Sequence, residues 1–202
     1  MKIAVVGAKG LVGAPVVAEA LQRGHQVDAY TRSGAEGSQA LDLAQTDQMV
    51  EVINSHDATL ISVASRDNYQ AALEAHQALI AAAPTGRFIV VGGAGSLNAG
   101  DKRLYDTPEF PEEYKAEAKT FGAIYDAYLA ADKSLAWSMV APAPMIAPGV
   151  RTGDYKLELD TPAGNFVSAE DLAVAIVDEF EQAAYTGKRF TVASADEAAA
   201  QG

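Results

Sequence analysis

No cysteine occurs among the 202 residues. Disulfides, a thiolate nucleophile and a cysteine-ligated metal are therefore excluded. Histidine is nearly as scarce: His25, His56 and His76 stand apart, none with a partner at ligand spacing, so no metal site is expected. Positive charge is also in deficit, with 15 Lys and Arg against 27 Asp and Glu and a formal net charge of −12. Nucleic acid and anionic membranes reward clustered cations, so neither is expected as a partner. Long apolar runs are missing. The first, Ile3 to Val6, stops at Gly7, too short for a signal peptide or for the roughly 20 residues of a membrane span. A soluble, cytoplasmic protein is the expectation. The serine-hydrolase elbow G-x-S-x-G is absent as well.

What remains is ordinary globular material, 49% hydrophobic and 21% charged. Short β-branched runs alternate with longer helical patterns. Strands are expected at Ile3 to Val6, Val27 to Thr31, Leu41 to Leu43, Ala58 to Ala64, Arg87 to Val91, Leu135 to Val140 and Arg189 to Ala193. Helices are expected at Leu11 to Arg23, Thr46 to Asn54, Asn68 to Ala83, Glu112 to Ala131 and, behind the capping box Ser168-Ala169-Glu170-Asp171, to about Ala183. Repeated strand–helix alternation implies a doubly wound parallel sheet in the order 3-2-1-4-5-6, possibly with a seventh strand, and helices on both faces. A single domain over residues 1–194 is expected, with a frayed tail at 195–202. The stretches 93–112 and 141–166 are too long for plain connectors, and both follow strand carboxyl ends, where ligands bind.

The strongest motif is Gly7-Ala8-Lys9-Gly10-Leu11-Val12-Gly13. It follows a buried strand and opens an amphipathic helix, the context a Rossmann-type dinucleotide fold requires. Gly7 permits the tight turn, Gly10 lets the backbone approach a pyrophosphate, and Gly13 allows close helix–strand packing. The helix N-terminus then offers free N–H groups and a positive dipole end. A site for NAD(H) would place an acid at the end of the second strand, to bind the ribose 2′-OH. Here that region reads Tyr30-Thr31-Arg32-Ser33. Arg32, with Lys9 adding charge, suits a 2′-phosphate, so NADP(H) is favoured. Asp42 and Leu43 are expected near the adenine, and Ser62, Val63 and Ala64 beside the ribose and pyrophosphate.

Taken together these pieces resemble the atypical branch of the short-chain dehydrogenase/reductase superfamily, the NAD(P)H-binding proteins related to NADH-flavin reductases and biliverdin reductase B. The likeness is carried by Gly7 to Gly13, Arg32, Val90 to Leu97, Asp106 to Ala118, Pro148 to Tyr155 and Ser168 to Ala173. It spans about residues 1–194. The superfamily's usual acid, a tyrosine with a lysine four residues on, is missing: Tyr114 has lysines at one and five positions on, Tyr125 is followed by Leu129, and Tyr128 by Asp132.

The resemblance implies hydride transfer to a flavin, quinone or similar conjugated small molecule, an acceptor that needs little help from a general acid. No catalytic residue is assigned. The acceptor is expected against Gly93, Ala94, Gly95, Ser96 and Leu97 and near Met145, with Tyr105 and Tyr114 available to stack. Pro142 is expected beside the nicotinamide carboxamide. The alternative is a non-catalytic protein that senses the NADP+/NADPH ratio. A sugar-nucleotide epimerase or dehydratase is disfavoured by the missing tyrosine–lysine pair.

Overall fold

The computed structural model describes residues 1–35, 37–63 and 68–202. In chain order the strands are β1 Lys2–Val6, β2 Gln26–Thr31, β3 Gln39–Ala40, β4 Ala58–Ile61, β5 Phe88–Val91, β6 Asn98–Ala99 and β7 Lys102–Arg103. They continue as β8 Trp137–Pro142, β9 Met145–Ala147, β10 Tyr155–Glu158, β11 Phe166–Ser168 and β12 Arg189–Ser194. The helices are α1 Gly13–Gln22, α2 Thr46–Asn54, α3 Tyr69–Ala82, α4 Glu112–Ala130, α5 Ala169–Gln182 and α6 Glu197–Gln201.

The main sheet has 8 strands in the order β10-β12-β8-β5-β4-β1-β2-β3. All its pairings are parallel except β10 with β12. The expected doubly wound order is therefore present, with β12 as the seventh strand and β10 added antiparallel at the far edge. Alternation along the strands divides the core in two. Ile3, Val5, Leu60 and Ile89 face α1 and α5, packing on Val16, Ala20, Leu172 and Ile176. Ala4, Val6, Ile61, Phe88 and Val90 face α2, α3 and α4, packing on Met49, Ile53, Leu79, Ile124 and Tyr128. Both faces being covered explains why these strands read as unbroken apolar runs.

Three expectations need correction. The third strand is Gln39–Ala40, not Leu41 to Leu43. Leu41 and Leu43 are apolar because both plug the core beyond the strand's end, 3% and 5% exposed. The tail does not fray. Asp196 caps α6 by accepting from the Ala199 amide, Ala200 is fully buried, and the Ala200 carbonyl accepts from the Val150 amide at 2.8 Å. At the α5 capping box, Ser168 Oγ accepts from the Asp171 amide at 3.0 Å, as expected. The reciprocal bond is missing, because Asp171 is used elsewhere. Its carboxylate accepts from the amides of Thr152 and Gly153 and from the hydroxyls of Thr152 and Ser194.

Candidate cofactor and acceptor site

Gly7 to Gly13 leave β1 at the switch point of the sheet, with β2 on one side and β4 on the other. Gly7 has φ +91°, and a Cβ there would lie 2.0 Å from the Ser62 carbonyl oxygen. A Cβ on Gly13 would lie 2.1 Å from the Gly7 carbonyl oxygen. Both positions are closed to any side chain. Gly10 differs: a Cβ would meet only the Gly7 oxygen, at 3.3 Å, and its free side lines the cleft. Protein packing alone does not demand glycine there, whereas a phosphate lying on the turn would.

Hydrogen bonding into α1 begins at the Ala14 amide, which donates to the Gly10 carbonyl, and the Val16 amide, which donates to Val12. Among the described residues the amides of Leu11, Val12 and Gly13 have no partner, and Pro15 has no N–H to lose. The first turn of α1 thus presents unspent donors at its positive end. The side chains of Ala8 and Val12 point into the core, so only their backbones are offered to a ligand.

A cleft of about 350 Å³ opens beside this turn. Lys9, Arg32, Asp42, Leu43, Ser62 and Val63 line it together with Gly7 and Gly10. Thr31 shapes the turn that presents Arg32: its carbonyl accepts from the Gly34 and Leu41 amides, and its hydroxyl from the Ala35 amide. Asp42 commits one carboxylate oxygen to the Ala44 amide at 2.9 Å, which leaves the other for a ligand. Asp28, the earlier acid on β2, is paired with His56 at 3.0 Å and Lys2 at 3.1 Å, which together hold its carboxyl below the usual range. Ala64 lies outside the described residues. One wall was not foreseen: Ala71, Ala72 and Ala75 of α3 also line the cleft. Their spacing on one helix face, all small, was the available signal. A volume of this size suits the adenosine and phosphate portion of a dinucleotide, and the charges and free amides fit that group.

The loop after β5, expected to face an acceptor, is built differently. Gly93 and Gly95 let the loop after β5 lie on α4, since a Cβ would come within 2.9 Å of Phe121 and 2.6 Å of Ala118 respectively. Ala94 is half-buried, while Ser96 and Leu97 are fully buried. The Ser96 hydroxyl donates to the Gly93 carbonyl at 2.9 Å and accepts from Arg189 at 3.1 Å. Its carbonyl accepts from Arg103 at 2.7 Å and from Arg189 at 3.1 Å. Ser96 braces the loop and is not free to bind an acceptor. Beneath it the Arg189 guanidinium lies 3.9 Å over the Tyr125 ring and pairs with Asp160 at 2.8 Å. The Tyr125 hydroxyl donates to Asp160 at 2.9 Å, and burial followed by that bond pushes the phenol up to about 12. This buried cluster had no local sequence signature, because Arg189 reads as an ordinary strand start.

Tyr105 packs against Gly122, and Pro142 is buried at the end of β8. Tyr114 and Met145 are 57% and 61% exposed. Tyr128 is buried, its hydroxyl 3.0 Å from Nδ1 of His76. The hydroxyls of Tyr125 and Tyr128 are therefore both committed inside the fold. Among the described residues no cluster of metal-ligating groups occurs, and no helix is long and apolar enough to cross a membrane.

The family model described as NAD(P)H-binding matches residues 7–183. The chain belongs to the NAD(P)H-binding family. It is 36% identical over 212 residues to the uncharacterized protein YwnB of Bacillus subtilis (strain 168), a match covering 96% of this chain and 99% of that one. Among solved structures it is similar to a candidate exported protein of Burkholderia pseudomallei, with TM-score 0.85 and 33% identity over 96% of this chain and 99% of that one. It is also similar to a candidate NADH-flavin reductase of Streptococcus pneumoniae TIGR4, with TM-score 0.84, 32% identity and the same coverage of both chains.

Proposed function

We propose that this chain is an NAD(P)H-dependent reductase, with NADP(H) favoured over NAD(H), that passes hydride to a flavin, quinone or similar conjugated small molecule. The observation that carries the reading is one cleft lined by Gly7, Gly10 and Arg32, next to the turn whose Leu11 to Gly13 amides are free. Similarity to the streptococcal NADH-flavin reductase candidate supports the choice of acceptor.

The dinucleotide would supply the hydride; the chain's work is to bind and orient. The amides of Leu11 to Gly13 and the α1 dipole hold the pyrophosphate. Arg32 takes the 2′-phosphate in a bidentate contact, and Asp42 accepts from the adenine amino group. Pro142 at the end of β8 borders the nicotinamide carboxamide. Of the loop after β5, the part-exposed Gly93, Ala94 and Gly95 offer backbone to a planar ring, and exposed Tyr114 and Met145 are available to stack on it. With Tyr125 and Tyr128 both engaged, no tyrosine of the usual pair serves as acid, which suits acceptors that are reduced by hydride alone.

The test is steady-state oxidation of NADPH with a panel of flavins and quinones, alongside calorimetric binding of NADPH. Turnover with at least one conjugated acceptor is expected. NADPH binding with no turnover on any of them would overturn the reductase reading in favour of a cofactor sensor.

A further inference from the structure

The two edges of the sheet are unlike. β3, at one end, is two residues long. β10, at the other, has four, and Lys156, Leu157 and Glu158 are all exposed, as is Leu159 just beyond. An open strand that carries leucine is a template for pairing unless it is protected.

The direction of its free groups follows from the ladder with β12. The Ala195 amide donates to the Asp154 carbonyl at 3.0 Å, so residues 154, 156 and 158 direct their backbone groups toward β12. Tyr155, Leu157 and Leu159 therefore turn theirs outward, where no strand lies beside β10. The Leu159 carbonyl is partly used, accepting from Thr161. The side chains divide by face. Tyr155 packs on the α5 side with its hydroxyl on Asp178, and Leu157 shares that side, 37% exposed. Lys156 and Glu158 share the opposite face, and neither forms an ion pair among the described residues.

We infer that β10 pairs antiparallel with β10 of a second copy of this chain, about a two-fold axis through Leu157. That register sets Leu157 opposite Leu157 of the partner subunit, with two reciprocal backbone hydrogen bonds. It sets Lys156 opposite Glu158 of the partner subunit, twice, because the contact is isologous. A two-fold through Lys156 would oppose lysine to lysine, and one through Glu158 would oppose glutamate to glutamate, so charge selects the centre. The exposed leucines lie across the axis and lose water. The lysine that guards an isolated edge is neutralised in the self-paired register. The result is a continuous sheet through two subunits, joined through a small contact and therefore concentration-dependent.

The test is sedimentation equilibrium on the full chain from about 2 to 200 µM, a range chosen for micromolar affinity. A monomer–dimer equilibrium is expected. Leu157→Pro removes an outward N–H that β12 does not use, so it should fold and stay monomeric. Lys156→Glu should weaken the dimer roughly tenfold by placing glutamates opposite each other. The double change Lys156→Glu with Glu158→Lys should restore it, and that rescue decides the matter even if the proline variant fails to fold. A monomer throughout the range, or a dimer indifferent to the charge changes, would overturn the inference.

Discussion

The glycine turn after β1 and the loop after β5, proposed above to serve the dinucleotide and the acceptor, are held in place with different materials. Around Gly7 to Gly13 the backbone does the work: Gly7 passes tightly against Ser62 just beyond β4, Gly13 lets α1 start against the Gly7 carbonyl, and amides are left over at the start of α1. Around Gly93 to Leu97 side chains do it, with Arg189, Arg103, Asp160 and Tyr125 holding one short loop from beneath. Backbone construction demands particular residues at fixed spacing. Side-chain construction draws on residues far apart in sequence, such as Ser96 and Arg189. The first half is rigid by sterics and the second by electrostatics, so they should fail differently.

The largest failure is expected at Gly7. Gly7→Ala adds a methyl 2.0 Å from the Ser62 oxygen at φ +91°. It should cost about 4 kcal/mol or more of stability and abolish NADPH binding, read by thermal melting and calorimetry. Arg189→Met tests the other half. Losing a buried cation beside the partly exposed Asp160 should cost about 3 kcal/mol in urea unfolding. If the two halves are independent, acceptor turnover falls sharply while the NADPH Kd barely moves; an equal loss in both would erase the distinction.

Arg32 would be the exception, a side chain proposed to recognise the cofactor beside the backbone-built turn. Arg32→Ala should weaken NADPH binding by about 1.5–3 kcal/mol and leave NADH almost unchanged. Equal losses for both would remove the preference for the phosphorylated cofactor. The smallest effect belongs to His76 of α3, which packs against Tyr128 of α4. Burial pushes its imidazole down to about 4, from the ordinary 6.5. The unfolded chain takes up the proton first as pH falls, so stability is whole above about 6.5 and declines toward 4. Between pH 7 and pH 5 the loss should be about 2 kcal/mol. His76→Asn should flatten that part of the pH profile in denaturant titrations.

The same contrast explains what could be read from the chain itself. Parallel strands were legible because two-sided burial leaves unbroken runs such as Phe88 to Val91. The glycine turn was legible because its residues are adjacent. Leu41-Asp42-Leu43 imitated a strand, since two core plugs flanking a polar residue give the same alternation. The alanine-rich tail looked disordered because its partners, Val150 and Asn165, lie far back in the chain. Ser96 looked available, and only the fold shows its hydroxyl spent between Gly93 and Arg189. Pairings that span most of the sequence leave no periodic trace.

The far end of α1 carries a last consequence. Glu19, 4% exposed, is gripped bidentately by Arg151 at 2.7 and 2.9 Å and by Arg23 at 2.8 Å, while Arg23 also holds Asp178 of α5 at 2.6 Å. The paired Arg151 guanidinium, with Arg23 beside it, holds the Glu19 carboxyl below its usual range. The helix that begins at the glycine turn is thus bolted near its other terminus to two separate segments. A ligand arriving at such a turn meets a surface already in its final shape. Dinucleotide association should then be a single kinetic phase whose rate climbs linearly with concentration, with no slow isomerisation behind it.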